Sequence, residues 1–322
     1  MKTFAWLIKR EFWENRGSFF WAPVVTTGVF LLLNIMGIIT FEVFAAQRNF
    51  KISSLNINQL VQNMDAKNMA NIGVGIDLAM MSASSLIGIV LGIVVFFYCL
   101  GSLYDDRRDR SILFWKSLPI SDRDTVLSKV VSATVVAPVI ATVCGLVGAL
   151  VMLLIVMLVA AFHGVHLWTL LGYAHPLRTL ATMVALIPVN LVWALPAVGW
   201  LMLCSAWAKS KPFLWALAVP VGAGIVVSWF SVMGVFNLSS GWFWKHIVVR
   251  SLTSVFPGGW IEGGKMTHIN MQGFNLGDHL DKIIGVGNAW SQLARMDFII
   301  GAVVGAAMIA AAIWFRGRRD DS

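Results

Sequence analysis

Apolar residues in this chain gather in six long blocks, separated by stretches where charge returns. The blocks run near residues 18–41, 79–103, 131–162, 179–207, 213–236 and 296–315. A helix needs about 20 apolar residues to cross a bilayer, and each block reaches that length. The pattern predicts an all-α membrane protein with six transmembrane helices. The third and fourth blocks exceed one span, so they are expected to tilt, break or run past the membrane. Pro138, Pro188 and Pro196 mark expected kinks, because proline removes a backbone donor and crowds the preceding turn. Ahead of the first block, Phe4, Leu7, Ile8 and Phe12 share one helical face, while Lys2, Lys9, Arg10 and Glu14 lie off it. That spacing predicts an amphipathic helix over residues 1–17, lying in the membrane interface. A charged leader that only fixes topology is the plainer alternative.

Composition agrees with the blocks. Of 322 residues, 58% are hydrophobic and 12% charged, and the mean hydropathy is +0.78. Soluble domains carry about 25% charged residues. The net charge of +8 is therefore read by position, not as a nucleic-acid signature. With the N-terminus inside, segments 1–17, 104–130, 208–212 and 316–322 hold 15 of the 24 Lys and Arg. The positive-inside rule then places both termini in the cytoplasm. Trp13, Trp21, Trp207, Trp215 and Trp314 fall near inner boundaries, and Trp168, Trp242 and Trp244 near outer ones, where indoles favour the interface. Cys99, Cys144 and Cys204 lie inside apolar blocks and read as small hydrophobes, not as a disulfide framework. No cleavable signal peptide is expected, because Met1 to Asn15 is charged and amphipathic and no small-residue cleavage site follows.

The chain reads as a single transmembrane domain over 1–322, and the outside segments, about 42–78 and 237–294, are too short for a core of their own. The loop over 104–130 is the most informative stretch. It mixes Asp105, Arg107, Arg108, Asp109 and Arg110, then presents Ile112, Leu113, Phe114, Trp115, Lys116 and Leu118 before Pro119. Ser121 with Asp124 three residues later resembles a capping box for the helix that becomes span three. A short helix with an apolar face on the cytoplasmic surface fits two readings. It docks a soluble partner, or its aromatics pack on the membrane interface.

In layout, the whole chain resembles the permease subunit of type-2 ABC exporters. The motif-level part of the resemblance is Asp109, Arg110, Ile112, Phe114, Ser117, Leu118, Pro119, Ile120, Ser121 and Lys129. The usual family loop has Gly-Thr-Leu after the Arg, whereas Ser-Ile-Leu follows Arg110 here. The resemblance implies a coupling helix over Asp105 to Lys116, seated in a groove of a separate ABC nucleotide-binding subunit. ATP and Mg would belong to that partner, with no cofactor in this chain. It also implies a second permease copy, a homodimer being favoured over a heterodimer, and export as the direction. The cargo does not follow from the resemblance; the apolar interior fits an amphipathic or hydrophobic one, and the compact six-span layout without organellar targeting features points to a bacterial inner membrane. Segment 237–294 would include short re-entrant helices, for which Gly258, Gly259, Gly263 and Gly264 around Trp260 supply the bends.

Other motifs carry less. Gly259 to Lys265 fits the first seven positions of a Walker A loop, but Met266 stands where a magnesium-binding Ser or Thr is needed. His163, His166, His175, His246, His268 and His279 gather toward the outer side without metal-ligand spacing, and no metal site is expected. Within the blocks the polar points are Asn34, Thr142, Thr182 and Asn190, while Glu42, Asp77 and Asp297 fall at ends. An ion-coupled carrier would place acidic residues or His in mid-membrane. A membrane-embedded enzyme acting on lipid or peptide at the outer face is the alternative. Glu262, Asp278, Asp281 and the histidines are its only candidates, without catalytic spacing. A scaffold or sensor would need a larger soluble domain.

Overall fold

A computed structural model describes residues 2–47, 66–109, 120–163, 171–234, 239–261 and 285–318. These residues are helical throughout, joined by turns, and contain no strand. Six helices are long and apolar enough to span a bilayer: Gly17–Gln47, Met69–Arg108, Asp122–Phe162, Pro176–Trp207, Pro212–Val232 and Met296–Arg318, here spans one to six. They follow the six apolar blocks in order. The chain is a multi-pass membrane protein.

The long third and fourth spans are irregular where the prolines fall. In span three, a π-helical turn over Ser132–Val136 precedes Pro138. Span four divides into Pro176–Ala185 and Ile187–Trp207, with Leu186 as the joint two residues before Pro188. Proline at the second position of the new helix has no intrahelical bond to lose. Pro196 stays inside the helix without ending it.

Spans four and six form the most extensive helix pair, followed by spans two and three. Glycine makes the first possible. A methyl group added at Gly199 would lie 2.5 Å from the Gly305 carbonyl oxygen, and one at Gly305 would lie 2.5 Å from that of Leu195. Small residues let two backbones touch, which is how helices associate where lipid offers no hydrophobic drive. The main core joins spans two, three, four and six through Ile87, Val95, Val126, Ala133, Val198, Leu201, Met202 and Ala312. Cys99 and Cys204 belong to it as small hydrophobes, and Cys144 packs against it half-buried. Span one is the least buried, and presents Leu32, Leu33, Met36 and Ile39 outward.

The N-terminal helix, Lys2–Glu14, puts Leu7 in the interior, with Phe4, Ile8 and Phe12 half-buried on the same face. That face packs on the start of span three, Asp122–Val131. Asn15 turns the chain by accepting the amides of Ser18 and Phe19, and a π-helical turn over Gly17–Trp21 leads into span one.

Candidate functional site

At the end of the bundle that holds the N-terminal helix, charge is buried. Glu11 interrupts the apolar face of that helix and is 2% exposed. Its Oε1 lies 3.1 Å from Lys129 Nζ of span three, and its Oε2 accepts the Tyr98 hydroxyl of span two at 2.8 Å. Lys129 also lies 3.5 Å from Asp106 Oδ2. Arg316 of span six donates from Nη1 to Asp106 and from Nε to Asp122, each at 3.1 Å. Five ionic side chains thus tie the N-terminal helix and spans two, three and six together. Burying charge is costly unless it is compensated, and each of these groups faces one of opposite sign.

Span four joins the same end through Ser205. Span two is interrupted at Leu103, and the Ser205 hydroxyl oxygen accepts the amides of Leu103 and Tyr104 at 3.0 and 2.9 Å. Arg107 reaches back, donating to the carbonyls of Ser205 and of Ala208, the latter at 3.0 Å. A cation on the last carbonyls of a helix is favourable.

These contacts surround the root of the loop singled out in the sequence. Asp105, Arg107 and Arg108 lie on a short helix, Tyr104–Arg108, continuing span two, and Asp109 closes it. Asp105, Arg108 and Asp109 are more open to solvent, whereas Arg107 is turned toward span four. Arg110, Phe114, Trp115, Lys116 and Pro119 lie outside the described residues. The loop re-emerges at Ser121, whose side chain accepts the Asp124 amide at 3.0 Å, the cap that the spacing implied.

At the opposite end a short helical run, Ser240–Phe243, Trp244–Val249 and Arg250–Thr253, leaves span five and packs on spans five and four. Trp244 donates to the Ser228 hydroxyl at 2.8 Å. The chain then turns over residues 254–261. Phe256 fits against Gly92 of span two, where an added methyl group would lie 2.7 Å from its Cε1. Gly258 has a φ of +82°, which an L side chain rarely adopts. Asn190 holds the turn: its Oδ1 accepts the Gly258 amide at 3.2 Å and the Trp260 indole N–H at 3.0 Å. Gly259 lies against Trp193. Gly263 and Gly264, the remainder of the Walker-like stretch, and Glu262, Asp278 and Asp281 lie outside the described residues.

Between this turn and spans two, three and four is a cavity of about 410 Å³ lined only by uncharged side chains. Ser84, Ser85, Thr134, Thr142 and Asn190 are its polar points. The threonines are spent on their own helices: Thr142 donates to the Pro138 carbonyl at 2.8 Å and Thr134 to that of Val130 at 2.9 Å. Asn34 and Thr182 are likewise satisfied within their helices. Of the four polar points that the sequence shows inside the blocks, Asn190 is the one that crosses to another segment.

Arg250 reads in the sequence as one more outer basic residue. In the fold it is 9% exposed, and its Nε and Nη2 have no hydrogen-bond partner. The guanidinium lies 4.5 Å from the Trp193 ring centroid. It presses on Gly301 of span six, where an added methyl group would lie 2.7 Å from Cζ. Arginine keeps its charge in proteins even when buried. The Trp193 indole N–H is also buried without a partner.

The described histidines do not converge. His163 Nε2 lies 3.1 Å from Glu42. The His175 amide donates to Asp77, which also accepts the Thr179 hydroxyl. His246 stacks on Trp242. His166, His268 and His279 lie outside the described residues. Among the described residues no group of three His, Cys, Asp or Glu is placed to hold a metal.

The chain matches no protein-family model, no curated protein and no solved structure. The class that the fold defines is a helical multi-pass membrane protein, and function rests on the sites themselves.

Proposed function

We propose that this chain is the transmembrane permease subunit of an ABC exporter, driven by a separate nucleotide-binding subunit that binds ATP and Mg. The observation that carries the reading is the buried ionic cluster. It braces the N-terminal helix and spans two, three and six around the two ends of the 110–119 loop, which begins after Asp109 and returns at Ser121. A loop that merely links two spans has no need of so costly a foundation. A loop that receives force does, because only a rigid root passes displacement to the helices behind it. In this reading Phe114 and Trp115 form the apolar contact with the ATPase. Arg108, Asp109 and Arg110 form its charged rim, and Arg107 holds the root to span four.

The charged end then faces the cytoplasm with both termini, and the membrane is a bacterial inner membrane. The N-terminal helix lies along the inner interface, its Leu7 face on span three and Trp6 and Trp13 exposed toward lipid headgroups. The run 240–261 is a re-entrant segment: Trp244 sits near the outer end of span five, and Phe256 reaches the middle of span two. The uncharged cavity beneath it supports an amphipathic or hydrophobic cargo. A second copy of the chain completes the transporter.

The test is purification from the native membrane in mild detergent, with identification of what accompanies the chain. A stoichiometric subunit carrying a Walker A loop, with ATP hydrolysis, is expected. Phe114→Ala with Trp115→Ala should release that subunit without impairing insertion. A folded chain that purifies with no ATPase rejects the proposal. A cysteine placed at Ser322 should resist impermeant labelling from outside sealed cells, and ready labelling reverses the orientation.

A further inference from the structure

Arg250 sits where a bare cation is hardest to keep. Gly301, on which its guanidinium rests, lies five residues into span six, about 7.5 Å along the helix axis. On that span the guanidinium is therefore below the outer end and within the apolar zone. Buried charges in such places are paired or mark a functional site. The nearest carboxylate on span six is Asp297, one turn closer to the end; its charge acts on Arg250, but it makes no hydrogen bond to it and lies 3.7 Å from Arg295. Two donors of Arg250, and the indole N–H of Trp193 over whose ring the guanidinium lies, are left without acceptors. Every unsatisfied atom identified at this point is a donor. The missing complement is therefore an acceptor, and the charge makes it an anion.

The donors are fully covered in this structure, so a ligand must part their cover, and lipid-facing side chains flank it. Beside Arg250 on its own helix, Val249 and Thr253 are exposed, and beside Gly301 on span six so are Ile300 and Val304. The seam between the two helices is thus apolar at its surface and cationic just beneath. Gly301 makes room for the guanidinium, since any side chain there would occupy its place.

We propose that Arg250 and Trp193 form a receiving site for the oxyanion of an amphiphile, a phosphate or carboxylate whose acyl chain lies along the seam between the 240–253 helix and span six. The planar guanidinium offers Nε and Nη2 as a fork to two oxygens, and the indole N–H supplies a third bond. Asp297 repels the same ligand and so limits its affinity. The site needs no ATPase, and it stands or falls separately from the exporter reading.

The test uses the full chain in nonionic detergent, with binding followed by native mass spectrometry. The probes are oleoyl lysophosphatidate and oleate, with uncharged monooleoylglycerol and inorganic phosphate as comparisons. Both anionic amphiphiles should bind at least about tenfold tighter than monooleoylglycerol, the scale of one charge-assisted hydrogen bond. Arg250→Gln should abolish that preference, and Trp193→Phe should weaken binding by about two- to tenfold. Asp297→Asn should strengthen it. Should Arg250→Gln fail to fold, Arg250→Lys keeps the charge but not the fork, and must still lose most of the preference. Saturable binding of inorganic phosphate with the same dependence on Arg250 would identify a free oxyanion site and overturn the amphiphile assignment. Equal affinity for charged and uncharged amphiphiles, or a preference that survives Arg250→Lys and Trp193→Phe unchanged, overturns the site altogether.

Discussion

Lys129 Nζ lies 3.1 Å from Glu11 Oε1, and both side chains are almost wholly withdrawn from solvent. This pair fastens the N-terminal helix to the foot of span three. Removing Glu11 leaves Lys129 only its longer contact to Asp106, and removing Lys129 leaves the Glu11 charge only the Tyr98 hydroxyl, both in a medium of low dielectric. Glu11→Gln or Lys129→Met alone should therefore destabilise the protein by about 3–5 kcal/mol. Thermal unfolding in detergent reads this as a lowered midpoint. The double variant Glu11→Met with Lys129→Met should recover much of the loss, and additive losses would refute the pairing.

The contact of spans four and six gives a second prediction. Gly199→Ala and Gly305→Ala each drive a methyl group into backbone, and should cost about 1–3 kcal/mol. Gly222→Ala in span five meets nothing within 4 Å and gains helix propensity, so it should be neutral or mildly stabilising. Melting of the three variants side by side checks the contrast.

Asn190 should behave as a clamp. Asn190→Leu leaves the Trp260 indole and the Gly258 amide without their acceptor, at a cost of about 1–3 kcal/mol. Hydrogen exchange should show the Gly258 amide losing protection before the spans do. Unchanged protection would mean that Asn190 does not hold the turn.

Ser121→Ala removes the cap of span three and should cost about 1 kcal/mol, with Ser121→Asp close to the natural protein. Because the loss lies at the loop's return point, proteolysis of the loop should quicken before the melting midpoint moves much.

What could be read from the residues alone was whatever repeats along the chain. Six apolar blocks became six spans in order. The Phe4, Leu7, Ile8 and Phe12 spacing and the Ser121 cap are local patterns, and residues 2–14 are helical with Leu7 buried while Ser121 caps span three. Glu11 escaped because a carboxylate on an apolar face breaks the very pattern used to find the face. Its partners Tyr98 and Lys129 lie far along the chain, and no period connects them. Spacing has no purchase on the rest of the cluster either, since Asp106, Asp122 and Arg316 come from three different spans. Arg250 was hidden for another reason. Its helix is too short to register as an apolar block, so in the sequence its charge falls with the outer segments. Asn190 was visible as a polar point, but only the fold supplies the turn it holds.

Span six is gripped at three heights by unlike means: carboxylates near Arg316, bare backbone at Gly305, and a guanidinium at Gly301. A helix so held has little freedom to bend between its grips. In the exporter reading it would act as a pushrod, carrying a sideways step of its charged foot to the seam near its other end.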